Sequence, residues 1–562
     1  MNRFFRRGVL GAIAAGMAGF SFMLAASTSG YDVAVGVVAG IIYAVSFCPA
    51  RKAYADTVMA TAALGVPLWG IASVLVTPVL SSGHMALGPD DFKRHFPALM
   101  EWVSFGTVFG IELQALSDFI LWRFGPESNP TPPLEEPIRR ILILGGGFGG
   151  MKTAECLESQ LSDVSSVSIS LVSETNALLF TPMLAEVAGS SLEPSHISTP
   201  LRSTLQRTHF IRASLTCIDL DRRKVFLDGS DLDHANRELD YDYLVLALGS
   251  VSSYLGIENV KTHAFHFKSL LDAIRIRNRV IEMFEKADRE QNPERRKQLL
   301  TFVVAGGGFA GVELAGALND FAHGILPDYR NLERKEVSVV LVHSRDRILP
   351  ELSETLAHYA LNRMAERSVR FRLGARLVDV QPGTVVLSDG QISAETLIWT
   401  AGTAPNPLVR SINAAKNDRG ALFVDKTLAI PDRPGVWALG DCAAVNDGKT
   451  GRPCPPTAQF ALREAVTVAQ NIRAVLRGLP IKSFHFDSLG SLCVIGHQTA
   501  CAELTIPFAR TRSLRFSGLF AWLMWRGVYL SKLPGFERKL RVLMAWTLDL
   551  FFPRDIIQTI EM

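Results

Sequence analysis

Long apolar runs open the chain, and short apolar runs punctuated by glycine replace them after residue 138. Gly8–Ser27 carries no charge over a length sufficient to cross a hydrocarbon core at about 1.5 Å per residue. Val33–Ala50 and Thr57–Ser82 repeat the pattern, the latter with Pro67 and Pro78 inside it. Pro97–Trp122 is a weaker candidate, because Glu101, Glu112 and Asp118 are costly in lipid unless they face a bundle interior. The pattern predicts an all-α transmembrane bundle of about four helices over residues 1–124. Gly125–Pro137 has five prolines and almost no apolar content, which predicts an extended linker over 125–138.

The pattern then changes to strand, turn and helix, twice. Ile141–Leu144 is a continuous apolar run of strand type that leads into GGGFGG, Gly145 to Gly150. Thr301–Ala305 leads in the same way into GGGFAG, Gly306 to Gly311, and helix-like segments follow both turns. One GxGxxG is weak evidence, but two in this context predict an α/β fold with two Rossmann-like dinucleotide-binding domains. Gly145 and Gly306 permit the tight turn, and Gly147 and Gly308 let a pyrophosphate approach the backbone. Gly150 and Gly311 let helix and strand close on each other. Phe148, Gly149 and Phe309 complete the turns, whose helix N-termini offer N–H groups to phosphate.

Each unit's second strand ends near the expected ribose. In the first, Glu174 follows the strand VSISLVS, where a carboxylate accepts from ribose hydroxyls and favours a dinucleotide without a 2′-phosphate, such as FAD. In the second, His343 stands where an acid is usual for NADH, with Arg345 and Arg347 just beyond. Those cations suit a 2′-phosphate or a solvated loop equally, so NADH and NADPH both remain open.

Apolar and aromatic character returns near the end. SGLFAWLMWRGVYLSK, Ser517 to Lys532, and RKLRVLMAWTLDLFF predict two amphipathic helices with Trp522, Trp525 and Trp546. Eight basic residues between Arg510 and Arg541 suit a lipid interface, and packing on the protein's own core is the alternative.

Composition supports a hybrid of membrane and soluble parts. The 562 residues are 48% hydrophobic and 20% charged, too many for one core and too charged for an all-membrane protein. A net charge of +3 gives no reason to expect nucleic acid as a partner. Charge position is more informative. Arg3, Arg6 and Arg7 precede the first run, Arg51 and Lys52 follow the second, and Arg123, Arg139 and Arg140 follow the fourth. This predicts a multi-pass protein of the cell (inner) membrane with its catalytic domains on the cytoplasmic side, Lys93 and Arg94 being a mild exception. A cleaved leader is the competing reading of Met1–Ala26, disfavoured by the apolar runs that follow. Seven cysteines are scattered singly, without the adjacent dithiol of a disulfide reductase or a metal-ligand cluster, so no metal is expected.

From about Arg140 onward the chain resembles the type II (single-subunit, non-proton-pumping) NADH:quinone dehydrogenases. The segments that carry the resemblance are ILILGGGFGG, LLFTPMLAEVAGSSLEPSHISTPLR, LDYDYLVLALGS, FVVAGGGFAGVELAG, TLIWTAGTAPNPL, VWALGDCA and PPTAQFALREA, in that order. The glycine turns, LALGS and WALGDCA are shared widely among flavoprotein reductases, whereas LLFTPMLAEVAG, PPTAQ and the tail are more specific. The resemblance implies an FAD domain (139–267 and 408–480) interrupted by an NAD(P)H domain (268–407) and followed by a membrane-associated helical tail (481–562). It implies that Asp441 and Gly440 hold FAD, that Thr181 lines the flavin, and that Gly249 and Gly402 border the cofactors. Glu313 would position the nicotinamide and flavin rings or handle a proton, and Gln459 would donate to a quinone carbonyl. Arg463 replaces the family's second glutamine, a departure that keeps a non-quinone acceptor, or a redox-responsive nucleotide-binding protein, open as alternatives. The implied partners are a membrane quinone and the lipid bilayer; a homodimer is an option the sequence leaves open.

Overall fold

The structure, a computed structural model, describes residues 13, 54–70, 73, 89–124, 138–164, 166–228, 238–505 and 513–558. The expected spans Gly8–Ser27 and Val33–Ala50, apart from Ile13, lie outside the described residues, as does the spacer Gly125–Pro137. The chain divides into two compact units.

The first unit contains α1 (Tyr54–Trp69) and α2 (Pro89–Phe124). The two pack through small residues. A Cβ on Gly106 would lie 2.1 Å from Thr61 O, and one on Gly65 would lie 2.3 Å from Trp102 O. Thr57 Oγ1 donates to Gln114 Oε1 at 3.1 Å, and Trp102 Nε1 donates to Ser73 Oγ at 3.2 Å. The expected fourth span is therefore part of a longer helix that starts eight residues earlier, at Pro89, and includes Pro97. The multi-pass expectation needs correction to this extent: no helix among the described residues is long and apolar enough to cross a membrane. The described α1 has only 16 residues, and α2, at 36 residues, is long enough but not apolar enough.

The second unit holds both dinucleotide-binding sheets. In chain order its principal elements begin with β1 (Arg139–Leu144), α3 (Phe148–Gln160), β2 (Val167–Ser173), β3 (His209–Arg212) and β4 (Tyr243–Leu246). The second set is β5 (Phe265–His266), α4 (Leu270–Arg289), β6 (Thr301–Ala305), α5 (Phe309–Ile325), β7 (Ser338–His343), β8 (Val369–Leu373) and β9 (Thr396–Trp399). The chain then returns through β10 (Val436–Ala438) and α6 (Ala458–Leu476). The first sheet has the order β10-β4-β1-β2-β3 and the second β5-β9-β6-β7-β8, every pair parallel. An antiparallel ribbon of Ser250–Ser252 with Thr403–Pro405 links the sheets.

Burial explains why β1 reads as an unbroken apolar run. Ile141 and Ile143 face a core that includes Leu157 of α3 and Val468 and Ile472 of α6, while Leu142 and Leu144 face a second core with Leu246 and Ala438. A parallel strand covered on both faces has no polar side to show.

The carboxy-terminal region departs from the helical tail expected. It begins with a three-stranded sheet, β11 (Gly490–Gly496), β12 (Thr499–Thr505) and β13 (Ser513–Ser517), before α7 (Gly518–Lys532) and α8 (Phe536–Leu548). Within the first unit, α7 packs on the α1 segment, where a Cβ on Gly70 would meet the Phe520 ring at 2.4 Å.

Candidate active site

Turns at the carboxyl ends of β1, β4 and β10 converge, the position at which open parallel sheets bind ligands. Gly145 has φ +108°, and a Cβ there would lie 2.2 Å from Ala247 O, beyond the end of β4. A Cβ on Gly150 would lie 1.8 Å from Gly145 O, so any side chain would push α3 off its strand. At Gly147, which is exposed and caps α3, a Cβ would meet nothing among the described residues within 4 Å. The turn is thus closed behind and open in front, a cradle that fits a pyrophosphate. Gly149 packs against Leu439, and the Phe148 ring meets Phe180 edge-on at 5.8 Å. Thr181, the next residue, is exposed and opens a short 3-10 turn. Glu174 sits exposed one residue beyond β2, its backbone carbonyl held by Arg212 Nε at 3.3 Å. Gly249, after β4, accepts through its carbonyl from Asn406 N at 3.1 Å.

The Gly440–Asp441 turn follows β10. Asp441 Oδ2 accepts from Ser250 Oγ, and Lys268 Nζ donates to the same hydroxyl at 2.8 Å while standing 3.8 Å from the carboxylate. Glu464, on α6, is only 3% exposed, and its Oε2 accepts from Gly440 N at 2.7 Å. Burial, with Asp441 adding to it, pushes the Glu464 carboxyl up to about 7. Ser250, Lys268 and Glu464 were not identified from sequence. Serine and lysine at strand ends carry no motif, but an acid on the apolar stripe of α6 was a readable signal.

The second turn repeats the first. Gly306 has φ +131°, and a Cβ on Gly311 would lie 1.8 Å from Gly306 O. Gly308 caps α5 ahead of Phe309, with only Glu351 Oε1 near its Cβ position, at 3.4 Å. His343 ends β7, and its Nδ1 accepts from Gly307 N at 3.1 Å. Burial and then the Arg345 cation lower the His343 pKa, so the ring is neutral with its proton on Nε2. It braces the glycine turn and offers no charge to a 2′-phosphate, whereas Arg345 is exposed. Gly402, one residue before the Thr403–Pro405 strand of the linking ribbon, accepts through its carbonyl from Ser253 N at 3.2 Å.

Glu313 and Gln459, from different helices, grip one strand. Glu313 Oε1 accepts from Val494 N at 3.2 Å. Gln459 Oε1 accepts from Leu489 N at 3.1 Å, and its Nε2 donates to Gly490 O at 3.3 Å. Close approach of α5 to β11 requires Gly316, whose Cβ would lie 2.7 Å from Ile495 C. Arg463 is exposed, its guanidinium 5.3 Å from the centre of the Phe486 ring. The six described cysteines are free, and Cys454 is pushed up to about 12 by burial and then by Glu464 and Asp447.

Two glycine turns on two parallel sheets, with an Asp-bearing turn beside the first, define a flavoprotein reductase. Residues 139–465 match the family of pyridine nucleotide-disulphide oxidoreductases, and residues 488–555 match the NDH2 C-terminal domain. The chain is 32% identical over 447 residues to a type II NADH:quinone oxidoreductase of Mycobacterium tuberculosis, covering 76% of this chain and 91% of that protein. Identity to the type II NADH:quinone oxidoreductase of Staphylococcus aureus is 30% over 366 residues, 64% of this chain and 88% of the relative. NDH2 from Plasmodium falciparum, solved in complex with NADH, has the same fold, with a TM-score of 0.67 at 19% identity over 75% of this chain and 99% of that one. The chain belongs to the type II NADH:quinone oxidoreductase family.

Proposed function

We infer that the chain oxidises NADH through bound FAD and delivers the electrons to a membrane quinone. The observation that carries this reading is the pair of closed-behind, open-in-front glycine turns, with Glu313 and Gln459 gripping the strand that lies beyond them. When bound, FAD supplies a ring that takes up hydride and gives electrons to quinone, and the protein supplies alignment. Gly147 and the start of α3 hold the pyrophosphate, Glu174 the adenosine ribose, and Asp441, oriented by Ser250 and Lys268, the remaining polar chain. Gly308 and the start of α5 hold the nicotinamide dinucleotide, with neutral His343 bracing that turn. Glu313 fixes ring spacing through β11. Gln459 presents its amide beside the quinone, and Arg463 stabilises charge that develops on the quinone oxygen.

Membrane attachment rests on two features. Phe536, Leu540, Leu543 and Met544 recur at helical spacing on α8 with 42–58% of their surface exposed, and Phe551 and Phe552 are 77% and 63% exposed beyond it. In the first unit the glycine and threonine contacts between α1 and α2 are those by which helices associate in lipid. Steady-state kinetics with NADH and a short-chain quinone test the assignment. Parallel double-reciprocal lines are expected, because NADH and quinone act on one flavin in turn, and no quinone-dependent NADH oxidation would overturn it.

A further inference from the structure

Glu464 is out of place on its helix. The α6 face around it is alanine and aliphatic, with Ala461, Ala465 and Val468 buried beside it, and a carboxyl 3% exposed among them needs a reason to be there. It has a geometric one. Its Oε2 takes the N–H of Gly440, a residue with φ +69° whose Cβ position lies 3.6 Å from the Ala461 methyl. The carboxyl therefore pins the backbone of the turn that carries Asp441 without occupying the space in front of it.

We propose that Glu464 is a positioning residue for the flavin-holding turn, fixing it through the Gly440 N–H in either protonation state, and that the charge it gains on deprotonation opposes the anionic dinucleotide held there. The charged groups that face it are few. Asp441 stands on the turn itself with Lys268 Nζ 3.8 Å from its carboxylate, and the Cys442 and Cys454 thiols are pushed to about 11 and 12 by burial, so neither thiol titrates near neutrality. On the packed helix α3, Lys152 is paired with Glu155 at 2.9 Å, and Cys156 is raised by burial. On α6 itself, Arg463 turns outward to Phe486. Glu464 is thus the group in this cluster poised to change charge between pH 6 and 8, with its carboxyl raised to about 7.

The sign of the effect follows from the charges. A dinucleotide diphosphate beside a carboxylate raises that carboxylate's pKa further, so by reciprocity FAD binds the protonated form more tightly. Affinity is highest below the pKa of the FAD-free protein, about 7, and falls as pH rises through the higher pKa of the complex. A rise of half to one pKa unit on binding corresponds to about a three- to tenfold loss of affinity.

The proposal rests on the FAD assignment above, and one experiment separates the two. FAD release from the holoprotein is followed by flavin fluorescence on dilution from pH 6 to 8.5, for wild type, Glu464→Gln and Glu464→Asp. Wild type is expected to lose FAD about three- to tenfold more readily at high pH, with a neutral-range midpoint. Glu464→Gln keeps the hydrogen bond and removes the pH dependence, and Glu464→Asp keeps the dependence with a displaced midpoint. A flat wild-type profile, a Gln variant that titrates like wild type, or an Asp variant with an unmoved midpoint overturns the proposal. If Glu464→Gln does not fold, the comparison of wild type with Glu464→Asp decides alone. Protein that holds no FAD at any pH overturns the cofactor assignment instead.

Discussion

At the scale of single residues, the two glycine turns share a geometry, and on the proposed function each serves one of two dinucleotides. Gly150 and Gly311 occupy matching positions, each with a Cβ site 1.8 Å from a backbone oxygen, where no rotamer relieves the clash. Gly311→Val is expected to yield flavin-bound protein that dithionite bleaches and NADH does not, and Gly150→Val protein without flavin. Absorbance at the flavin band checks both; NADH bleaching of Gly311→Val at the wild-type rate contradicts the division. These glycines were legible in the sequence because the turn permits almost no alternative residue. Glu464 was legible only as an acid on an apolar stripe; its partner was not, because the helix turns Arg463 outward and the next position inward to Gly440, a residue distant in sequence. His343 was placed correctly at its strand end, but its contact with Gly307 depends on how a turn from another strand folds back.

At the scale of elements, the tail does more than offer an apolar surface. Trp546 Nε1 lies 3.0 and 3.2 Å from the Glu186 oxygens, in the segment that follows Thr181. Arg554 Nη1 donates to Gly189 O at 2.9 Å and its Nε stands 3.5 Å from Asp549, both partners being largely buried. These contacts tie residues 545–558 to the segment Glu186–Gly189. Trp546→Phe, which removes the donor and leaves the carboxylate, is expected to weaken this docking by about 1–3 kcal/mol. Faster amide exchange over residues 545–558 is the readout, and unchanged exchange there argues against the clamp. Strands β1 and β6 and helices α3 and α5 were readable because burial on both sheet faces and strict glycine turns leave strong patterns. The sheet β11–β13 was not, because its burial is partial and its polarity irregular.

At the scale of the whole molecule, the first unit draws on segments from either side of the two sheets in sequence: α7, which follows them, packs on α1, which precedes them. Charge and hydropathy revealed that apolar segments open the chain. They did not reveal that a helix from far along the sequence packs on α1, since contact between distant segments leaves no local pattern. The central claim is that NADH and quinone exchange electrons through one flavin held between the two turns. Anaerobic stopped-flow spectroscopy of the full chain in lipid vesicles tests it most directly. One equivalent of NADH is expected to bleach the bound FAD, and one equivalent of quinone to restore its colour within the turnover time. Flavin-replete protein that NADH leaves coloured, or that stays bleached with quinone present, contradicts the claim.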